Sequence, residues 1–272
     1  MSIIAGFMVP HPPLIIPDVG RGNEHVVDKT IRSYERVGRE IFALRPKTII
    51  ITSPHSILYR DYFHISPGRG AAGDFGSFGA PQASFNEDYD EKLVNEISSI
   101  AAKEGFPAGT LGERQPLLDH GTMVPLFFIE KAYREAGVKA DFEIIRSGLS
   151  GLSLEQHVRF GEIIREAIET IGRRAVFVAS GDLSHKLQKS GPYGFDPAGP
   201  VYDEKIMDVM GRGAFDELTA FDEKLLDEAA ECGHRSFTIM GGALKGDRLS
   251  IEKLSHEDVT GVGYGICTYM AL

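Results

Sequence analysis

Cysteine is scarce in this chain: Cys232 and Cys267 are the only two among 272 residues. Two thiols are too few for a disulfide framework and fit a reducing compartment. Clustered positive charge is missing as well. No run holds five or more Lys and Arg, and the formal net charge is -10, which argues against nucleic acid or an anionic membrane as a partner. No apolar run approaches the roughly 18 residues that span a bilayer. The opening "MSIIAGFMVPHPP" has no basic start and is broken early by prolines, so no signal peptide is expected. Together these absences make a cytoplasmic protein the expectation. No internal repeat or linker divides the chain, so residues 1–272 read as one domain. A G-x-S-x-G elbow is lacking, which disfavours a Ser-His-Asp hydrolase. "GRGAAGDFG" lacks the spacing of a phosphate loop.

What is present is ordinary globular composition, with 42% hydrophobic and 25% charged residues, enough to bury a substantial core. Apolar patterns of two periods alternate along the chain. Residues 3–8 read as a buried strand. From Asn23, an apolar stripe of Val27, Ile31, Tyr34, Val37, Ile41 and Leu44 reads as a helix that Pro46 closes. Strands follow at 48–52 and 62–65, and the Gly-rich stretch 67–82 reads as a polar, flexible loop. Helices are expected over 88–104, 122–137 and 153–172, strands over 140–148 and 173–180, two or three helices over 203–244, and two closing strands. Strands alternating with helices of this length predict an α/β fold: three layers, with a mostly parallel central sheet and helices on both faces.

In such sheets ligands bind beyond the carboxyl ends of the strands. Three histidines sit there: His11 in "VPHPP", His55 in "TSPHS" and His185 in "SGDLSH". A histidine behind one strand is ordinarily a solvated loop residue, but three at equivalent positions can share a rim. Pro10, Pro12 and Pro54 stiffen the backbone carrying two of them, as a metal ligand requires. "AAECGHRSF" offers Glu231, Cys232 or His234 as a third ligand. Glu231 would complete the two-histidine, one-carboxylate set that suits ferrous iron, and it is the preferred expectation. Cys232 is the alternative and would lean toward zinc or copper. His234 would make a three-imidazole site like those of hydrolytic zinc centres. His120, behind Asp119, and the pair Asp182 and His185 are acid/base candidates. Asp119 can also be a helix cap. His25, His64, His157 and His256 are assigned no role.

Taken in order, "VPHPP", "SPHS", "DHGTMVPL", "SGDLSH", "ECGHRS" and "GVGYGI" resemble the class III extradiol ring-cleaving dioxygenase superfamily of catalytic β-subunit type, close to its Memo-like branch. The resemblance runs from about residue 5 to residue 268. It implies that His11 and His55 bind Fe(II), with an acidic residue near Glu231 as third ligand. It implies that His185 exchanges protons with a catecholic substrate and that His120 lies close to that substrate. The Memo-like branch carries a cysteine where this chain has Cys232. The implied partners are a small aromatic diol and O₂, with homo-oligomerisation open. The alternative activity is a Memo-like metal- or peptide-binding protein without dioxygenase chemistry.

Overall fold

Alternation within the strands sets the layers. The computed structural model describes residues 3–272. In β1 (Ile3–Val9), Met8 points to one apolar cluster, whereas Ala5, Phe7 and Val9 point to another. β2 (Thr48–Thr52) divides in the same way, with Ile50 against Ile49 and Ile51. Each strand therefore feeds two cores at once, the pattern of a sheet covered on both faces.

After β1 come the single turn α1 (Pro17–Gly20) and the long helix α2 (Asp28–Leu44). α2 starts later than its apolar stripe suggested, because Glu24–Val27 forms a separate 3-10 turn. Its buried face includes Tyr34, Val37 and Ile41. Arg45 ends it at φ 46°, just before Pro46.

β3 (Phe63–His64) is followed by β4 (Gly70–Phe75) and β5 (Ala80–Asp88). These last two strands correct the expectation of a loop over 67–82. They form an antiparallel hairpin, and Phe75 and Ala80 are fully buried in the same core as α2. Glycine spacing disguised a strand whose inward positions are small or aromatic. α3 (Glu91–Glu104) is capped by Asp90, whose carboxylate accepts from Leu93 N. The two-residue β6 (Ala108–Gly109) pairs with β3.

α4 (His120–Glu135) is capped by Asp119. β7 (Glu143–Ser147) leads to α5 (Leu154–Ile171), which opens with a full Ser153/Gln156 capping box. β8 (Ala175–Ser180) precedes α6 (Ala198–Arg212), α7 (Glu223–Ala229) and α8 (His234–Leu244). β9 (Leu249–Glu257) and β10 (Tyr264–Ala271) close the chain.

The main sheet runs β7-β2-β8-β1-β10-β9. The four strands from β7 to β1 are mutually parallel, whereas β10 and β9 add an antiparallel edge. α2 and α4 cover one face, and α3, α5 and α8 cover the other. The fold is a three-layer α/β sandwich. Among the described residues no helix is long and apolar enough to cross a membrane.

Sheet order places the site. β2, β8 and β1 are consecutive, and register aligns their carboxyl ends: Val9 stands opposite Ser180, and Thr52 opposite Ala179. The segments that follow these three strands therefore emerge side by side.

Candidate metal centre

His11 leaves β1 as a nearly buried residue, and its Nε2 lies 3.0 Å from Nε2 of the exposed His55 behind β2. Cys232 reaches the same point from the segment before α8, its Sγ 3.6 Å from His11 Nε2. The donor atoms of His11, His55 and Cys232 all lie within 4.8 Å of one another, and so do those of Asp182, His185 and Cys232. The two sets share the thiol.

Two glycines permit this convergence. A Cβ on Gly181 would strike the Gly233 Cα, so the exit of β8 and the entry to α8 touch only because Gly181 lacks a side chain, and a Cβ on Gly233 would strike the Phe237 ring. Across that contact Gly233 N donates to Asp182 O at 3.0 Å, and Asp182 N donates to Cys232 Sγ at 3.3 Å.

The tautomer of His11 can be traced to a proline. Pro125 stands inside α4 and has no N–H for the carbonyl of Gly121, four residues back. Ser180 Oγ donates its single proton to that carbonyl at 2.6 Å. The hydroxyl can then only accept from His11 Nδ1, 3.0 Å away. His11 therefore carries its proton on Nδ1 and turns the Nε2 lone pair into the cluster, the arrangement that a second hydrogen bond gives a metal-ligating histidine. His185 is fixed in the same way. Its Nδ1 lies 2.7 Å from the carbonyl of Ala230, which can only accept, so Nε2 is left bare and lies 3.9 Å from Asp182 Oδ2. Asp182 also accepts from the backbone N–H of His11 at 2.8 Å.

His55 is braced through its own backbone. Its N–H donates to Ser53 Oγ at 3.1 Å, and Ser53 Oγ donates to Asp119 Oδ1 at 2.5 Å. Asp119 is thus both the cap of α4 and a support for His55. His120, the first residue of α4, packs against His55 with ring centroids 4.0 Å apart and planes tilted by 36°. Two exposed aromatic rings pack edge-on against the site histidines: Phe78 against His120 and Tyr193 against His185.

Burial disfavours charge throughout the site. It lowers His11 well below the usual imidazole value, with His55 adding to the effect, and it lowers His55 too. His120 falls to about 3, from burial and then from the other two imidazoles. Burial and the Asp182 carboxylate push the Cys232 thiol well up, and burial raises Asp182. Two bare or neutral imidazole nitrogens beside a protonated thiol fit a cation that displaces the thiol proton. Nitrogens bound to one ion at about 2.1 Å stand roughly 3.0–3.4 Å apart, so the separation of His11 and His55 also fits.

Glu231 takes a different post. Its Oε2 accepts the N–H of His234 at 2.6 Å, at the start of α8. There it satisfies helix donors that have no internal partner. Burial raises this carboxyl to about 7 in spite of that bond. It belongs to neither donor set, so the atom converging with the two imidazoles is the Cys232 thiol. His234 is turned away, its Nε2 2.9 Å from Leu218 O. Of the histidines assigned no role, His157 is fully buried, with Nδ1 2.8 Å from Ser153 O. His256 pairs with Asp203 at 2.7 Å. Ser53, Phe78 and Tyr193 were not singled out by sequence reasoning, which reads Ser180 only as shaping the turn after its strand. For Ser180 the signal was its place at the end of a strand of otherwise apolar residues.

The chain matches the family described as the catalytic LigB subunit of aromatic ring-opening dioxygenase over residues 5–267. It is 35% identical to the Clostridium acetobutylicum protein CA_C1420 across 98% of this chain, and it spans only 57% of that relative's length. It is 26% identical to the 2-aminophenol 1,6-dioxygenase beta subunit of a Pseudomonas species, covering 97% of this chain and 93% of that one. A MEMO1 family protein of Methanosarcina mazei is 24% identical over 72% of this chain and 70% of its own. Among solved structures, an uncharacterized Escherichia coli protein matches with a TM-score of 0.61 at 15% identity, covering 98% of this chain and all of its own, a likeness of fold. A rim of histidines on aligned strand ends and a sequence match across nearly the whole chain converge on one assignment: this protein belongs to the LigB family, within the class III extradiol dioxygenase superfamily.

Proposed function

We propose that the chain is a metal-dependent oxidoreductase that uses O₂ on a small aromatic substrate bearing adjacent hydroxyl or amino groups. Its metal would be held by His11, His55 and Cys232. The observation that carries this reading is the convergence of those three donor atoms within 4.8 Å, with His11 locked in the tautomer that bares Nε2. Iron is the metal the family implies; the thiol also admits zinc or copper. When bound, the ion would supply Lewis acidity and a path for electrons.

The protein's own groups do the rest. His185 Nε2 is bare and half-shielded, and it can take a proton from a substrate hydroxyl. Asp182 stands beside it to stabilise the imidazolium that results. His120, driven to about 3, stays neutral at physiological pH and can take part in hydrogen bonding without adding charge. Phe78 and Tyr193 offer ring faces and edges to a planar substrate.

One observation favours a second reading. A thiol stands with the two imidazoles where ferrous ring-cleaving sites use a carboxylate. That supports the Memo-like alternative, a metal- or peptide-binding protein without dioxygenase activity. Metal analysis of Cys232→Ser and Glu231→Gln, with oxygen uptake on catechol and 2-aminophenol after anaerobic iron loading, separates them. The proposal expects metal loss in Cys232→Ser alone and uptake by the wild type. Metal retained with no uptake selects the Memo-like reading, and metal loss in Glu231→Gln alone refutes the ligand set.

A further inference from the structure

Polar atoms buried without a partner are concentrated at one place. Among the described residues eleven buried side-chain N and O atoms lack a hydrogen bond, and six of them belong to Ser56, His64, Ser66 and Arg146. Each of these residues is at least nine-tenths buried: Arg146 is 1% exposed and His64 not at all. Native proteins leave few such groups unmatched, and a concentration of them points to a ligand.

Strand register puts three of them on one face. Ile65 bridges antiparallel to Ser147, with Ser66 N donating to Arg146 O and Gly148 N to His64 O. Residues flanking a paired position point to the same side, so His64, Ser66 and Arg146 share a face. Ile57 O lies where a Gly148 side chain would project, which brings the loop carrying Ser56 over that face.

The guanidinium is only half used. Nη2 donates to Gln115 O at 3.0 Å and Nε lies 3.2 Å from Asp119 Oδ2, whereas Nη1 has no partner. Burial lowers the His64 imidazole, Glu113 opposes that shift and the Arg146 charge adds to it, so the free guanidinium, hydroxyl and imidazole N–H groups are mainly donors. They call for an acceptor-rich, anionic group. Two carboxylates already face them: Asp119, at 3.2 Å from Arg146 Nε, and Glu113, 3.9 Å from His64 Nε2 and beyond hydrogen-bonding reach. Beyond Tyr59 lies a cavity of about 250 Å³, lined by Tyr59, Asp61, Tyr62, Leu111, Gly112 and Arg114. Tyr59 belongs to both places, its ring centroid 6.1 Å from that of His64.

We infer that Arg146, His64, Ser66 and Ser56 form a recognition site for the carboxylate of a small organic acid, whose apolar body lies in the cavity under Tyr59. Glu113 stands at the junction as the competing carboxylate. The site adjoins the metal centre through Asp119, which pairs with Arg146 and supports His55, but it shares none of the proposed metal ligands and does not depend on the proposed oxidoreductase activity.

Calorimetric titration of the full chain with phenylacetate tests this, with benzyl alcohol as the neutral control and inorganic phosphate as a second anion. Phenylacetate is expected to bind at least about tenfold more tightly than the alcohol, the scale of one charge-assisted bond. Ser66→Ala weakens it, and Glu113→Gln tightens it by removing the competitor. His11→Ala leaves it intact. Arg146→Gln abolishes it, provided circular dichroism shows that variant folded; Ser66→Ala and Glu113→Gln carry the test if it is not. Equal binding of acid and alcohol, phosphate binding in place of phenylacetate, insensitivity to both Ser66→Ala and Glu113→Gln, or loss of binding in His11→Ala would each overturn the inference.

Discussion

Replacing Ser180 by alanine tests the chain of bonds that runs from Pro125 to the metal centre. In the native protein the Ser180 hydroxyl donates to Gly121 O at 2.6 Å and accepts from His11 Nδ1 at 3.0 Å. Alanine leaves a buried carbonyl and a buried N–H unmatched, since His11 is only 2% exposed. Each unmatched group costs about 1–3 kcal/mol, so the apo-protein should lose about 2–6 kcal/mol in urea unfolding. The second effect is on the metal. Without Ser180 the Nε2–H tautomer of His11 becomes as favourable as the Nδ1–H form, and losing such an orienting partner typically weakens metal binding 10–100-fold. Competition against a chromophoric chelator reads that affinity directly. The companion substitution Pro125→Ala restores an N–H at the position that can serve Gly121 O. It frees the Ser180 proton to donate to His11 instead and should weaken metal binding in the same direction, with α4 itself made no less stable. Wild-type metal affinity in Ser180→Ala, alongside the expected loss of stability, would show that the hydroxyl is a packing group only and would refute the tautomer argument.

Three further outcomes are expected. His185→Phe should keep the metal and lose turnover by about 10²-fold or more, read by metal analysis and oxygen uptake; a variant lacking metal would make His185 a ligand. Glu87, raised from 4.5 to about 8 by burial and by its hydrogen bond to Glu130, holds in the folded state a proton that the unfolded chain releases. Stability should therefore fall as pH rises from about 4.5 toward 8, by on the order of 2 kcal/mol after allowance for solvent screening. In Glu87→Gln that slope should vanish in unfolding midpoints measured across the window. Gly181→Ala, whose added methyl strikes Gly233, should cost about 3 kcal/mol or more, and a melting temperature within a degree of wild type would contradict the close contact.

Much of this architecture is legible in the residues because local pattern and burial agree. The alternation in Phe7, Met8 and Val9 and the Pro-His endings at His11 and His55 are both local, and both place those imidazoles at strand ends. What was hidden depends on contacts distant in sequence. Whether Glu231 or Cys232 faces His11 is decided by one helix turn and by Gly181 meeting Gly233, 52 positions away, and no local rule distinguishes adjacent residues there. The hairpin of β4 and β5 was concealed because glycine weakens the strand signal while leaving Phe75 and Phe85 to do the packing. Arg146 did leave a trace, a positive charge amid the apolar run of the strand "EIIRS", whose meaning emerges only with the register against Ser66.

The span between the donor residues governs when the site can exist at all. His11 is made 221 positions before Cys232, and β8 enters the sheet between β2 and β1 only after both of those strands have been synthesised. A chain still emerging from the ribosome presents two imidazoles on unpaired strands and no thiol, so it has no place to hold an ion until α8 has been released. Metal capture at the proposed site would therefore come after α8, as a late event that joins residues 221 positions apart. An ion so captured binds the finished fold and not its precursors, and for that reason it should slow unfolding more than it speeds folding.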